Sequence, residues 1–208
     1  MSFLKKLQKF VLTSLIIFLP TQPGLHFWPD WAIINGRRID YFAPTLYLTD
    51  VLIFLLFFFQ IYNLKFKIFN KFTINKFFNS KLIIYSFIFL FFILNSIFSL
   101  SPAVSLYKWI KVLELGFLFF YLRRSSLAAS PSLLAPILLI PVLYQSMLAI
   151  WQFVQQASIG GLWYFLGERT YTITTPGIAT VQFMGGQLLR SYGTFPHPNV
   201  LAGFLLVG

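Results

Sequence analysis

Long apolar runs recur along this chain, near 7–19, 45–64, 82–100, 105–122 and 132–155, and the basic residues lie between them rather than along one face. A membrane-crossing helix needs roughly 20 predominantly apolar residues. The remaining composition agrees, because 10% of residues are charged, 20% are aromatic and 27 are Phe. A soluble surface needs about 25% charge. The expected class is therefore all-α: a polytopic transmembrane helical bundle with about five complete spans and the start of a sixth at 198–208, with a partly ordered outer loop. The whole of 1–208 reads as a single membrane domain, with outer loops at 20–44 and 156–197. The apolar run from Val200 stops at Gly208, too soon to cross a bilayer, so the chain reads as ending inside a helix.

The net charge of +11 does not mark a nucleic-acid binder, since its lysines and arginines are scattered between apolar runs. The chain has no cysteine, which excludes disulfides and thiolate metal sites. Lys5, Lys6 and Lys9 precede the first run, and Pro20-Thr-Gln-Pro23 follows it without a small-x-small cleavage site, so an uncleaved helix with a cytoplasmic N-terminus is expected. Lys65, Lys67, Lys71, Lys76, Lys81, Arg123 and Arg124 then fall on the cytoplasmic side, and Trp28, Trp31, Trp109, Trp151 and Trp163 at or beyond the opposite interface. The basic and aromatic distributions imply one orientation.

Polar groups within and beside the runs are the functional candidates. Asp50 lies near the start of the second span, where interfacial water and the positive helix end favour a carboxylate. Lys108, Lys111 and Glu114 recur every three residues on one face of the fourth span. That face reads either as an ion-paired, snorkelling interface or as a positive lining for a phosphate group. Pro136 and Pro141 predict a kink in the fifth span. In the long outer loop, Trp163-Tyr-Phe165 looks like an interfacial anchor, and Glu168 and Arg169 form an adjacent acid and base. The Thr175-Pro-Gly-Ile178 sequence suits a type II turn, and 170–183 around it suits a small hairpin. Gly185-Gly186 reads as a flexible step before Arg190. Asn199, ahead of an apolar helix, reads as an N-cap. No Walker loop, Gly-x-Ser-x-Gly, His-Glu-x-x-His or paired aspartates with metal-ligand spacing occur, so neither a metal nor a cofactor is expected. Several arginines with few carboxylates suit a metal-free diphosphate site.

The stretch Arg190-Ser-Tyr-Gly-Thr-Phe-Pro-His-Pro-Asn199-Val-Leu-Ala-Gly203 resembles the Arg-x-x-Gly-Thr-Phe-x-His-Pro-Asn segment of bacterial O-antigen ligases and polymerases. Leu19-Pro-Thr-Gln-Pro-Gly24, the segment from Asp40 to Asp50, and Arg169-Thr-Tyr171 with Thr175-Pro-Gly-Ile-Ala179 look like variants of that family. The resemblance implies the N-terminal part of a membrane glycosyltransferase that transfers or polymerises glycans from undecaprenyl diphosphate on the outer face of the bacterial plasma membrane. The partners implied are a polyprenyl-diphosphate-linked glycan, membrane lipids, and a glycan, lipid or protein acceptor, with no nucleic acid. Arg190, Arg169, Lys108 and Lys111 are the substrate-binding candidates. The family's principal catalytic loop is expected beyond Gly208, so His197 is not assigned its role and the fragment by itself is expected to be inactive. The alternatives are a fragment of a polytopic transporter or lipid flippase, or a non-catalytic membrane subunit. A second large outer loop with Arg and His would favour the transferase, and an internal repeat of the first six spans the transporter.

Overall fold

The computed structural model describes residues 2–21, 23–68, 80–125 and 130–207. In chain order the elements are α1 (Ser2–Phe18), β1 (Gly24–His26), a 3-10 helix (Asp30–Ala32), β2 (Ile33–Ile34), β3 (Arg37–Arg38), β4 (Thr45–Tyr47), α2 (Leu48–Ile68), α3 (Ser80–Ile97), α4 (Pro102–Arg124), α5 (Pro131–Gln155), α6 (Leu162–Phe165), β5 (Thr180–Phe183), β6 (Gly186–Leu189) and α7 (Pro198–Val207). The strands form three two-stranded sheets, β1 with β4, β2 with β3, and β5 with β6. Two compact units result, one of Met1–Gly24, Tyr47–Leu52 and Arg124–Gly208, the other of Leu25–Leu46 and Ile53–Arg123.

The first unit is assembled on α5, against which α1 and α7 pack. Val11, Leu12, Leu15 and Ile16 form the buried stripe of α1 at helical spacing. Tyr144 Oη donates to the Ile17 carbonyl at 2.8 Å, satisfying one of the acceptors that a helix C-terminus leaves open. Leu148 is fully buried on α5, while Leu139, Leu143, Met147, Ile150 and Val154 are exposed. At the start of α2, Asp50 is buried and its Oδ2 accepts the Tyr47 backbone N–H at 2.8 Å. That is the back-reaching half of a capping box, with an aspartate at the third helical position.

In the second unit, α3 and α4 meet through an aromatic and amide contact. Trp109 stacks on Phe92 with ring centroids 4.1 Å apart, and its Nε1 donates to Asn95 Oδ1 at 3.1 Å. Phe117 of α4 meets Phe57 of α2 edge to face at 5.2 Å. Tyr107 Oη both donates to the Thr45 carbonyl and accepts the Thr45 N–H, at 3.2 Å each, tying α4 to β4.

The expected five-span, all-α bundle is corrected. Among the described residues one helix, α5, is long and apolar enough to cross a membrane, and 17% of its most apolar stretch is buried. The described apolar parts of α2 and α3, Leu48–Tyr62 and Ser86–Ile97, are shorter than the roughly 20 residues that a bilayer requires. With 23 residues α4 has the length, but Lys108, Lys111, Glu114, Arg123 and Arg124 all lie on it. The 17 residues of α1 include Lys5, Lys6 and Lys9. Nor is the segment 20–44 a plain connection, since β1, the 3-10 helix, β2 and β3 occupy it. The cytoplasmic assignment of Lys65, Lys67, Lys71, Lys76 and Lys81 concerns side chains outside the described residues.

Candidate functional site

A row of polar side chains lies on α5. Gln145 and Gln152, seven residues apart, project from one side of a helix whose other positions are mostly apolar, and Gln156 is its left-handed C-cap, with φ of +55°. Gln145 and Gln152 are fully buried. Isolated in an apolar setting, an amide costs several kcal/mol. Here the segment Leu189 to Thr194 satisfies them. Gln156 Oε1 accepts the Leu189 N–H at 2.6 Å. Gln152 Oε1 accepts the N–H groups of Tyr192 and Gly193 at 3.1 and 2.8 Å, and its Nε2 donates to the Gly193 carbonyl at 3.0 Å. Gln145 Oε1 accepts the Thr194 N–H at 3.2 Å, and its Nε2 donates to Thr194 Oγ1 at 2.6 Å. Thr194 Oγ1 in turn donates to the Pro20 carbonyl at 2.6 Å. Between these contacts Ser191 Oγ donates to the Ala149 carbonyl at 2.6 Å.

Gly193 is required by this docking. Its φ is +59°, and a Cβ there would overlap Gln145 Oε1. The close approach of backbone to amide is available only to a residue without a side chain.

The same segment carries Arg190. Its Nη2 donates to Asn199 Oδ1 at 2.6 Å, so the guanidinium is oriented by a neutral group and keeps its full charge. Asn199 is therefore not the N-cap expected from the sequence. α7 starts at Pro198, and His197 precedes it: its carbonyl accepts the Val200 N–H at 3.0 Å, and its Nδ1 accepts the Asn199 N–H at 3.2 Å. The side chain of His197 is exposed. The ring lies edge-on to Tyr192 at 6.3 Å.

Glu168 and Arg169 are separated by burial. Glu168 is 3% exposed, and its carboxylate accepts the N–H groups of Ile159 and Gly160, each at 2.7 Å, and Gln152 Nε2 at 2.8 Å. It is an organiser of the loop rather than an acid-base partner for its neighbour. Arg169 points to solvent, and among the described residues no hydrogen bond or ion pair holds it. Gln152 consequently joins two parts of the candidate site, bonding Glu168 beside Arg169 and the Tyr192-Gly193 turn beside Arg190.

Lys108 and Lys111 belong to the other unit. Their ammonium groups lie 5.3 and 5.7 Å from the centroid of the Tyr107 ring, within cation-π range. Lys111 Nζ is also 3.6 Å from Glu114 Oε2. Of the four substrate-binding candidates, Arg169 and Arg190 share one compact unit and the two lysines share the other.

The outer loop differs from expectation in its hairpin. Thr175 to Ile178 is a turn with Gly177 at φ +78° and the Ile178 N–H bonded to the Thr175 carbonyl at 3.2 Å. The hairpin, however, pairs β5 with β6 in the register Phe183↔Gly186, and its turn is Met184-Gly185, both with positive φ. Gly185-Gly186 is thus part of an ordered hairpin. Behind it Tyr171, Leu189 and Tyr192 form a small buried cluster with Ile178 and Ala179. Tyr192 Oη accepts the Ala179 N–H at 2.8 Å, whereas Tyr171 Oη is buried and has no hydrogen-bond partner among the described residues. Burial first, and the Glu168 charge second, raise the Tyr171 phenol above its ordinary value.

The glutamines are the members of this site that sequence reading passed over. Their signal was present, as two amides seven residues apart in an apolar helix and a third at its C-cap. Among the described residues no group of three His, Cys, Asp or Glu side chains could hold a metal ion. No family model, curated protein or solved structure matches the chain.

Proposed function

We propose that this chain is part of a membrane glycosyltransferase of the O-antigen ligase type, and that Arg190 binds the diphosphate of a polyprenyl-linked glycan at the outer face of the bacterial plasma membrane. The observation that carries the reading is the Arg190–Asn199 bond of 2.6 Å. A neutral partner orients the guanidinium without cancelling its charge. The nearest acid before it in sequence, Glu168, is already committed to two backbone amides and Gln152. A diphosphate would therefore meet an always-protonated fork able to make bidentate contacts. Charge that grows on the departing diphosphate would be stabilised more than the ground state, which is the requirement for catalysis by a fixed donor.

In this reading α5 crosses the membrane, with its exposed apolar side chains in lipid and its glutamine row covered by the 189–194 segment. Arg169, exposed one residue after the anchored Glu168, supplies a second cation.

The test is binding of undecaprenyl diphosphate to the chain in lipid nanodiscs, followed by native mass spectrometry. Arg190→Ala should weaken binding about 10-fold or more, as expected for loss of a hydrogen bond between charged groups. Binding that is equal in the wild type and Arg190→Ala would remove the proposal.

A further inference from the structure

We infer that the segment Leu25–Leu46 is a docking surface for a bilayer of anionic phospholipid, with Arg37 and Arg38 contacting headgroup phosphates and the neighbouring isoleucines entering the interface. This inference stands apart from the glycan reading.

Its first support is a backbone in which several peptide groups are paired within the segment. The Phe27 N–H bonds to the Pro44 carbonyl at 2.9 Å, the Ile39 N–H to the Ala32 carbonyl at 2.9 Å, and the Ala32 N–H to the Pro29 carbonyl at 2.8 Å. β2 and β3 are joined by Asn35 and Gly36, with φ of +50° and +75°, as a two-residue hairpin of the I′ type demands. A segment with its peptide groups paired internally can approach lipid without stranding them.

The side chains support the same reading. Trp31, Ile33, Ile34 and Tyr41 are 47%, 39%, 46% and 81% exposed within an ordered segment. Apolar side chains exposed beside polar ones mark an interaction site. The register pairs Ile33 with Arg38 and Ile34 with Arg37, so each face of the hairpin holds one aliphatic side chain and one guanidinium. Asp30 and Asp40 lie outside the paired residues, at the open end, which leaves the turn end basic. Among the described residues neither arginine is in an ion pair. The Arg38 guanidinium lies 5.2 Å from the Trp28 ring centroid, and the same ring stacks on His26 at 5.7 Å. A hairpin end with isoleucines beside paired arginines, and an indole at its base, matches the region where acyl chains give way to phosphates.

The absence of native cysteine makes the test clean. Ile34→Cys, and Thr174→Cys in an exposed turn of the other unit as reference, are labelled with bimane in the whole chain. The labelled chain is reconstituted in phosphatidylcholine vesicles with or without phosphatidylglycerol. Quenching by brominated lipid is compared with quenching by iodide. At Ile34 the lipid-to-iodide ratio should rise at least about fivefold when phosphatidylglycerol is present, fivefold being the scale of one basic residue near an anionic surface. Thr174 should not respond. Arg37→Gln with Arg38→Gln should abolish the rise. Arg37→Gln alone, which disturbs no stacking contact, should reduce it and serves if the double variant fails to reconstitute. Iodide quenching at Ile34 equal to that at Thr174 in both lipids would overturn the inference, as would a phosphatidylglycerol response that survives replacement of the arginines.

Discussion

Gln152 Nε2 donates to Glu168 Oε1 at 2.8 Å, and both side chains are buried. That one bond couples an amide on the long apolar helix α5 to the only described carboxylate in the 157–197 loop, and through the other end of the same amide to the Gly193 turn.

Replacing Gln152 by Leu should therefore do more than remove one contact. The Tyr192 and Gly193 N–H groups would lose their acceptor and Glu168 a donor, at roughly 1–3 kcal/mol for each group left unsatisfied. Near-UV circular dichroism during thermal unfolding in micelles should show a clearly lower Tm, whereas Gln156→Leu, which releases the Leu189 N–H alone among the bonds between helix and loop, should lower it less.

Gly193→Ala places a Cβ against Gln145 Oε1 at a positive φ. Both effects oppose folding, with the backbone contribution about 1–3 kcal/mol. The same Tm measurement checks it, and Gly203→Ala, where a Cβ meets open space, is the control that should remain near wild type.

Tyr171→Phe should stabilise the protein. The hydroxyl is buried without a partner among the described residues, and removing an unpaired buried polar group recovers roughly 1 kcal/mol or more. The pH dependence has a definite sign. An ordinary tyrosine ionises near pH 10. Burial raises Tyr171 above that value, so the folded state keeps its proton where the unfolded chain has lost it. The resulting contribution is complete below about pH 10 and is lost as pH rises through the folded value. Stability curves for Tyr171→Phe should accordingly fall less steeply in that alkaline range than those of the wild type.

At Arg190 the order of variants carries the information. Asn199→Ala frees the guanidinium but keeps its charge, so undecaprenyl diphosphate binding should fall only several-fold, the size of one neutral hydrogen bond. Asn199→Asp keeps the bond but neutralises Arg190, and should weaken binding more than the alanine variant does. The reverse order in a nanodisc titration would show that Arg190 does not act through its charge.

Parts of this architecture were legible in the residues. Apolar runs marked the positions of α2 to α5, and Pro176-Gly177 marked a turn that forms where expected, because both depend on neighbours a few residues away. The hairpin was displaced, since Met184 adopts a positive φ that no local propensity favours and the pairing of β5 with β6 imposes. Asn199 had the chemistry of a cap, but its side chain turned to Arg190, leaving the cap to His197.

The sequence by itself determined where helices form and that α5 is apolar enough to cross a membrane, because hydrophobic periodicity and length are local properties of the chain. Only the tertiary structure decided what the polar groups do. Gln145 meets Thr194 across 49 positions, and Thr194 meets Pro20 across 174. A buried amide is worth its desolvation only when a particular acceptor or donor faces it, and that pairing exists only once distant segments have been brought together.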